Sequence, residues 1–152
     1  MALPAIRTFE ERDRPFVIDL WRRCDLVRPW NDPDRDIDRK LAVDDGMFFV
    51  AEDGRSDAAS GDRGHVLGTV MAGYDGHRGW INYLAVEPDA QDAGIGRLLM
   101  ERAEHALADA GCPKINLQIR TSNVGATAFY ERLGYTRDEV ISLGKRLVDD
   151  TR

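Results

Sequence analysis

The turn Gln91-Asp92-Ala93-Gly94-Ile95-Gly96 lies between an apolar run that ends at Pro88 and an amphipathic run that begins beside Arg97. Strand, glycine turn and helix start, in that order, aim several backbone N–H groups and the positive end of a helix dipole at one anion. Gly94 and Gly96 have no Cβ, so their backbone can lie close to a phosphate. Arg97 adds a guanidinium for a charge-assisted contact. Further along, SNVGATAFYERLGY (122–135) puts Ala126 and Tyr130 four residues apart on one helical face. The small residue leaves room beside a phenol, which titrates near about 10 and can donate a proton to a leaving group of similar basicity. Glycine turns and helical tyrosines also arise for purely structural reasons. The two together are the informative signal.

Alternating strand and helix patterns must position these residues. PAIRT (4–8) reads as a first strand, and Asp13-Arg14-Pro15 starts a helix with Phe16, Ile18, Leu20 and Trp21 on its apolar face. RCDLVRPWNDPD breaks that helix, and a second begins at Asp32-Pro33 and runs to about Val43. MFFVAE (47–52) is strand two. Residues 54–64 are small and polar and read as an exposed hairpin loop. HVLGTVMAGY and WINYLAVE form strands three and four, with Asp75-Gly76 as the hairpin cue. The glycine-turn helix spans roughly 94–110 and stops at Gly111 ahead of Pro113. KINLQIR is strand five, followed by the Tyr130 helix, capped by Ser122 or Asn123 and ended by Gly134. Two last strands are expected near 135–139 and 140–147. The order is that of an α/β domain with a mixed, twisted sheet of about seven strands and four helices.

Composition narrows the function classes. With 152 residues and 43% apolar content, the chain is expected to fold as a single domain, 1–152, with a sizeable core. No run of about 18 apolar residues offers a membrane span, and no charged-then-apolar leader precedes Ile6, so a cytoplasmic protein without a membrane partner is expected. A net charge of −6 argues against a nucleic-acid partner and is compatible with cationic substrates. Cys24 and Cys112 have neither metal nor disulfide-framework spacing and read as small core residues. The acidic run Asp32, Asp34, Asp36, Asp38 fails as a calcium loop, because Ile37 stands where the turn needs glycine and Val43 where a bidentate glutamate belongs. It suits a helix N-terminus instead, and no metal is expected.

Together, the Q-x-x-G-x-G turn and N-x-x-A-x-x-F-Y-E-R-L-G-Y resemble the GNAT superfamily of N-acetyltransferases, in the family's order and spacing. WRRCDLVRPWND and GYDGHRGW further resemble its bacterial YpeA-like subgroup. The resemblance implies acetyl-CoA as co-substrate, an amine acceptor, either a small molecule or a protein, and a monomer or homodimer. It also implies that strands four and five splay apart and admit the cofactor. Gln91, Asp92, Ala93, Gly94, Ile95, Gly96 and Arg97 would then hold the pyrophosphate, and Leu84, Ala85 and Val86 would offer backbone groups to the pantetheine arm and thioester. Asn123 and Ala126 would lie along that arm, with Tyr130 as the acid for the departing thiolate. Trp21, Arg28, Trp30, Asn31 and Tyr83 would form the acceptor pocket. Asp92 departs from the glycine or basic residue usual there, and a carboxylate beside a pyrophosphate is repulsive unless it points outward.

No general base stands out. The two positions where family members place a glutamate correspond to Trp80 and Gln118, neither of which takes a proton. Asp75, His77, Glu87 and a water relayed through Tyr83 remain. Neither cysteine has a base near it in the motifs, so the amine is expected to attack the thioester directly. A non-catalytic acyl-CoA-binding or sensing domain is the alternative.

Overall fold

The computed structural model describes residues 4–53 and 66–151. Five strands, β1 (Ala5–Thr8), β2 (Phe48–Glu52), β3 (Val66–Tyr74), β4 (Gly79–Val86) and β5 (Ile115–Leu117), form one sheet in sequence order. β1 to β4 pair antiparallel and β4 pairs parallel with β5, so the sheet is mixed. The helices are α1 (Arg14–Arg23), α2 (Pro33–Val43), α3 (Ile95–Asp109) and α4 (Val124–Arg132), with 3-10 turns at Glu11–Asp13 and Pro88–Ala93.

Both faces of the sheet are covered, and β2 shows why. Phe48 and Val50 point to one side, into a core with Val17, Leu20, Trp21 and Ile37 of α1 and α2. Phe49 and Ala51 point to the other, where Leu99, Met100, Ala103 and Leu107 of α3 pack. A strand buried on both sides reads as a continuous apolar run, as FFVA does. Asp32 caps α2 by accepting from the Asp34 and Arg35 amides, and Asn123 caps α4 by accepting from Ala126.

The expected count of seven strands with four helices is corrected: among the described residues there are five strands, and the helical segments include the two 3-10 turns. Residues 136–150 form no strand. Their chain runs beside β5 tied by side chains, with Lys114 and Asn116 both donating to Asp138. Val140, Ile141, Leu143 and Leu147 stay exposed, so the alternation that reads as a strand finds no ladder partner. The proposed hairpin loop 54–64 lies outside the described residues.

One irregularity positions the site. Thr69 pairs with Ala85 but Met71 pairs with Asn82, so two residues of β4, Tyr83 and Leu84, oppose the single Val70. Tyr83 takes φ +51°, unusual for a residue with a side chain. A buried hydrogen-bond chain holds it there: Trp21 Nε1 donates to Thr69 Oγ1 at 2.9 Å, and Thr69 Oγ1 donates to the Tyr83 carbonyl at 2.8 Å. Replacing Thr69 by Val keeps the volume but strips both buried partners of their bond. We expect a loss of about 1–3 kcal/mol of stability, read as a lower urea midpoint at unchanged slope. An unchanged midpoint would show that the bulge is held without this hydroxyl.

Candidate functional site

The β4–β5 ladder stops early. Gly79, Trp80 and Ile81 pair with Ile115, Asn116 and Leu117, and beyond that point the strands separate. The bulge turns β4 away and opens a cleft of about 590 Å³. Its walls include Tyr83 and Leu84 from β4, Asn123, Ala126 and Tyr130 from α4, and Arg28, Asn31 and Asp36 from the α1–α2 side. The gap expected between strands four and five is therefore present, and it collects residues from segments far apart in sequence.

On the α4 side, Tyr130 packs edge-on against Phe129 and Tyr135, with ring centroids 5.1 and 5.7 Å away. Burial pushes its phenol up to about 12, because the ionised form loses solvation. It is therefore a proton-bearing donor throughout the neutral range. Gln91, Asp92 and Ala93 belong to the 3-10 turn, Gly94 adopts the left-handed conformation at φ +79°, and α3 starts at Ile95. The first amides of α3, from Ile95 through Arg97, have no intrahelical acceptor and point along the helix axis. Gln91 Nε2 donates to the Val86 carbonyl at 3.4 Å, tying the turn to the end of β4. Arg97 is exposed and reaches Glu101 at 3.4 Å.

Asp92 is exposed on this turn. If its charge is felt by a bound pyrophosphate, Asp92→Gly tightens acetyl-CoA binding, and more so at low ionic strength, where repulsion is least screened. Calorimetric titrations at two salt concentrations check this. Equal affinities at both would show that the carboxylate points away.

On the acceptor side the expected residues divide. Tyr83, Arg28 and Asn31 line the cleft. Trp21 does not: it is wholly buried, and its ring stacks behind Tyr83 at 3.8 Å between centroids. Trp30 is exposed at the rim, with the Arg120 guanidinium 5.7 Å from its ring centre and its carbonyl accepting from Arg146 at 3.0 Å. Leu84 lines the cleft, whereas Ala85 is buried among core side chains and can offer only backbone groups there.

The three side-chain candidates for the base lie away from the cleft. Asp75 closes the β3–β4 hairpin, accepting from the His77 and Arg78 amides at 2.8 Å each, and these bonds hold its carboxyl below the usual range. His77 sits exposed in the same turn. Glu87 pairs with Arg23 at 2.5 Å. None of them lines the cleft. Cys24 does, but its thiol donates to the Val86 carbonyl and burial raises its pKa, so no thiolate nucleophile is arranged.

Sequence reasoning missed Asp36. The acidic run reads as helix N-terminal charge, and nothing in its spacing singles out the third member. The only signal is periodicity: Pro33 and Ile37 are the buried positions of α2, and Asp36 lies next to that face.

The chain also resembles known proteins. The model of the acetyltransferase (GNAT) family matches residues 10–135. Among solved structures, Naa20 from Chaetomium thermophilum, in complex with a bisubstrate analogue, is 27% identical, with 87% of this chain and 70% of that one covered at a TM-score of 0.65. The NatC complex bound to Gag peptide and CoA gives 24% identity, 91% and 87% coverage and a TM-score of 0.74. The ribosomal-protein-S18-alanine N-acetyltransferase from Escherichia coli gives 24% identity, 87% and 77% coverage and a TM-score of 0.64.

Proposed function

The chain belongs to the acetyltransferase (GNAT) family, and from that premise we propose that acetyl transfer takes place in the cleft between β4 and β5. The protein is an acetyl-CoA-dependent N-acetyltransferase. The observation that carries the placement is the early end of the β4–β5 ladder, which leaves Leu84 to Val86 unpaired by β5, with Leu84 and Tyr130 both lining the gap.

In this reading the glycine turn and the α3 N-terminus hold the pyrophosphate, while the pantetheine arm passes Asn123 and Ala126. The thioester carbonyl rests against the backbone of the β4 end, and a primary amine enters past Arg28, Asn31 and Tyr83. The amine attacks the carbonyl carbon, the C–S bond breaks, and the electron pair leaves with the sulfur. A phenol at about 12 is a weaker acid than a thiol at about 8.5, so complete transfer of its proton to the thiolate runs uphill. Tyr130 serves instead as a hydrogen-bond donor to the sulfur while charge builds there, and the thiolate takes its proton from solvent on release. This refines the matched proton transfer that an exposed phenol would give.

The acceptor is a small amine or the amine of a polypeptide. The neighbour bound to Gag peptide and the negative net charge suit a cationic acceptor of either kind. WRRCDLVRPWND and GYDGHRGW support placement in the YpeA-like subgroup, acting as a single-domain cytoplasmic protein, monomeric or homodimeric. Among the described residues no helix is long and apolar enough to cross a membrane. Thiol release from acetyl-CoA, measured with pooled primary amines, tests the reading. Release above the amine-free rate in at least one pool is expected. Saturable acetyl-CoA binding with no amine-dependent release in any pool would leave a sensing domain.

A further inference from the structure

We propose that Asp36, acting through the Tyr83 hydroxyl, forms the amine-binding and proton-accepting end of the cleft. This rests on the transfer reaction just described, and supplies the base that the motifs lack. Tyr83 Oη donates to Asp36 Oδ2 at 2.6 Å, a short charge-assisted bond. Since the hydroxyl hydrogen is committed to Asp36, the lone pairs of Oη are left to accept from an N–H in the cleft, which both residues line. Burial, then the bond to Asp36, raises the Tyr83 phenol well above its ordinary value. A free phenolate is therefore not the base at neutral pH, and the proton must pass through the hydroxyl to Asp36.

The geometry is over-determined in a way that a simple helix-to-strand tie does not require. Tyr83 sits at the left-handed position of the bulge, its carbonyl held by Thr69 and its ring by Trp21. Such a strained residue persists only when its surroundings fix it, and strain of this kind gathers at working sites. Other charges near the pair come from each neighbouring element. Asp32 caps α2 and Arg39 lies on it, with Arg39 Nη1 3.5 Å from Asp36 Oδ1. Arg39 is itself drawn to Asp150 of the C-terminal segment at 2.7 Å, which leaves Asp36 less than fully compensated. Asp25 and Arg28 follow α1, and Arg120 follows β5.

The proton balance is complete. An attacking amine becomes a cationic nitrogen as its lone pair bonds to the thioester carbon, and it is then far more acidic than the free ammonium. Its N–H proton passes to Tyr83 Oη while the Tyr83 proton passes to Asp36, leaving a neutral amide nitrogen, an intact phenol and a carboxylic acid. Asp36 returns the proton to solvent after the thiolate leaves.

Asp36→Asn keeps an acceptor for the Tyr83 hydroxyl but removes the charge, and Tyr83→Phe removes the relay while keeping the ring. The probes are spermidine, an N-blocked lysine peptide and a peptide with a free N-terminus. In either variant we expect kcat/KM to fall about 10- to 100-fold for any probe the wild type uses. The double variant should be little worse than either single one, because the two residues act as a unit. Because the Asn carboxamide still accepts from the Tyr83 hydroxyl, Asp36→Asn should keep the wild-type melting midpoint while its rate falls, whereas loss of a mere tie would lower the midpoint. Spermidine binding to the CoA-loaded protein, measured without turnover, should weaken about tenfold in Asp36→Asn. That loss would support the amine site even if the wild type acetylated none of the probes, an outcome that would count against the transfer reaction alone. Wild-type rates and spermidine affinity in folded Asp36→Asn would overturn the proposal.

Discussion

Tyr130→Phe is expected to lower kcat by about 10² to 10³, the usual loss for a preorganised donor aimed at developing charge. The ring, its edge-on contacts with Phe129 and Tyr135, and hence the fold should be retained. KM for the amine should move little, since the role proposed for the hydroxyl is at the sulfur and not at the acceptor. The wild-type rate should show no fall on the alkaline side below about pH 10 that belongs to this residue. Its phenol is held at about 12 by burial, and a group raised in this way keeps its proton until the pH approaches that value. Steady-state kinetics across pH, with melting curves as the fold control, decide the matter. Full activity in the variant would return Tyr130 to the role of a packing residue.

The second large effect is at Gly96. A Cβ built there would lie 3.1 Å from Phe129 Cζ and 3.6 Å from Val86 Cγ2, so α3, α4 and the end of β4 meet at this point. Gly96→Val therefore acts through packing. Its methyl groups push the α3 N-terminus away from β4 and α4, at a cost of about 1–3 kcal/mol. The amides we propose to face the pyrophosphate move with the helix, and acetyl-CoA affinity should fall at least tenfold in protein that remains folded. Gly94 differs, because a Cβ there meets nothing within 4 Å and only the positive φ resists substitution. Gly94→Asn, which tolerates that backbone, should bind acetyl-CoA better than Gly96→Val does. Wild-type affinity in Gly96→Val, measured calorimetrically, would show that the turn is not the cofactor site.

These residues show what the sequence made legible. The glycine turn and the α4 motif are local: capping by Asn123, the stop at Gly134 and the small–phenol spacing all follow from contacts within a few residues. The order of the first five strands and the four helices was likewise readable, because turn and cap residues bound each apolar run. Three features were not. Trp21 belongs to a helix near the acceptor side, yet which way its ring turns depends on Thr69, 48 positions away. The partnership of Asp36 with Tyr83 spans 47 positions and exists only because the bulge turns Tyr83 toward α2. The final apolar alternation met no strand partner, since a pattern of side chains does not specify where a ladder edge will be found.

The most direct measurement is a crystal structure of the protein with acetyl-CoA. The account requires the pyrophosphate at the amides between Gly94 and Arg97 and the pantetheine between β4 and α4. It also requires the thioester carbonyl at the Leu84–Val86 backbone and the sulfur within hydrogen-bonding reach of the Tyr130 hydroxyl. A cofactor seated elsewhere, or one whose sulfur lies on the far side of β4 from Tyr130, would contradict it.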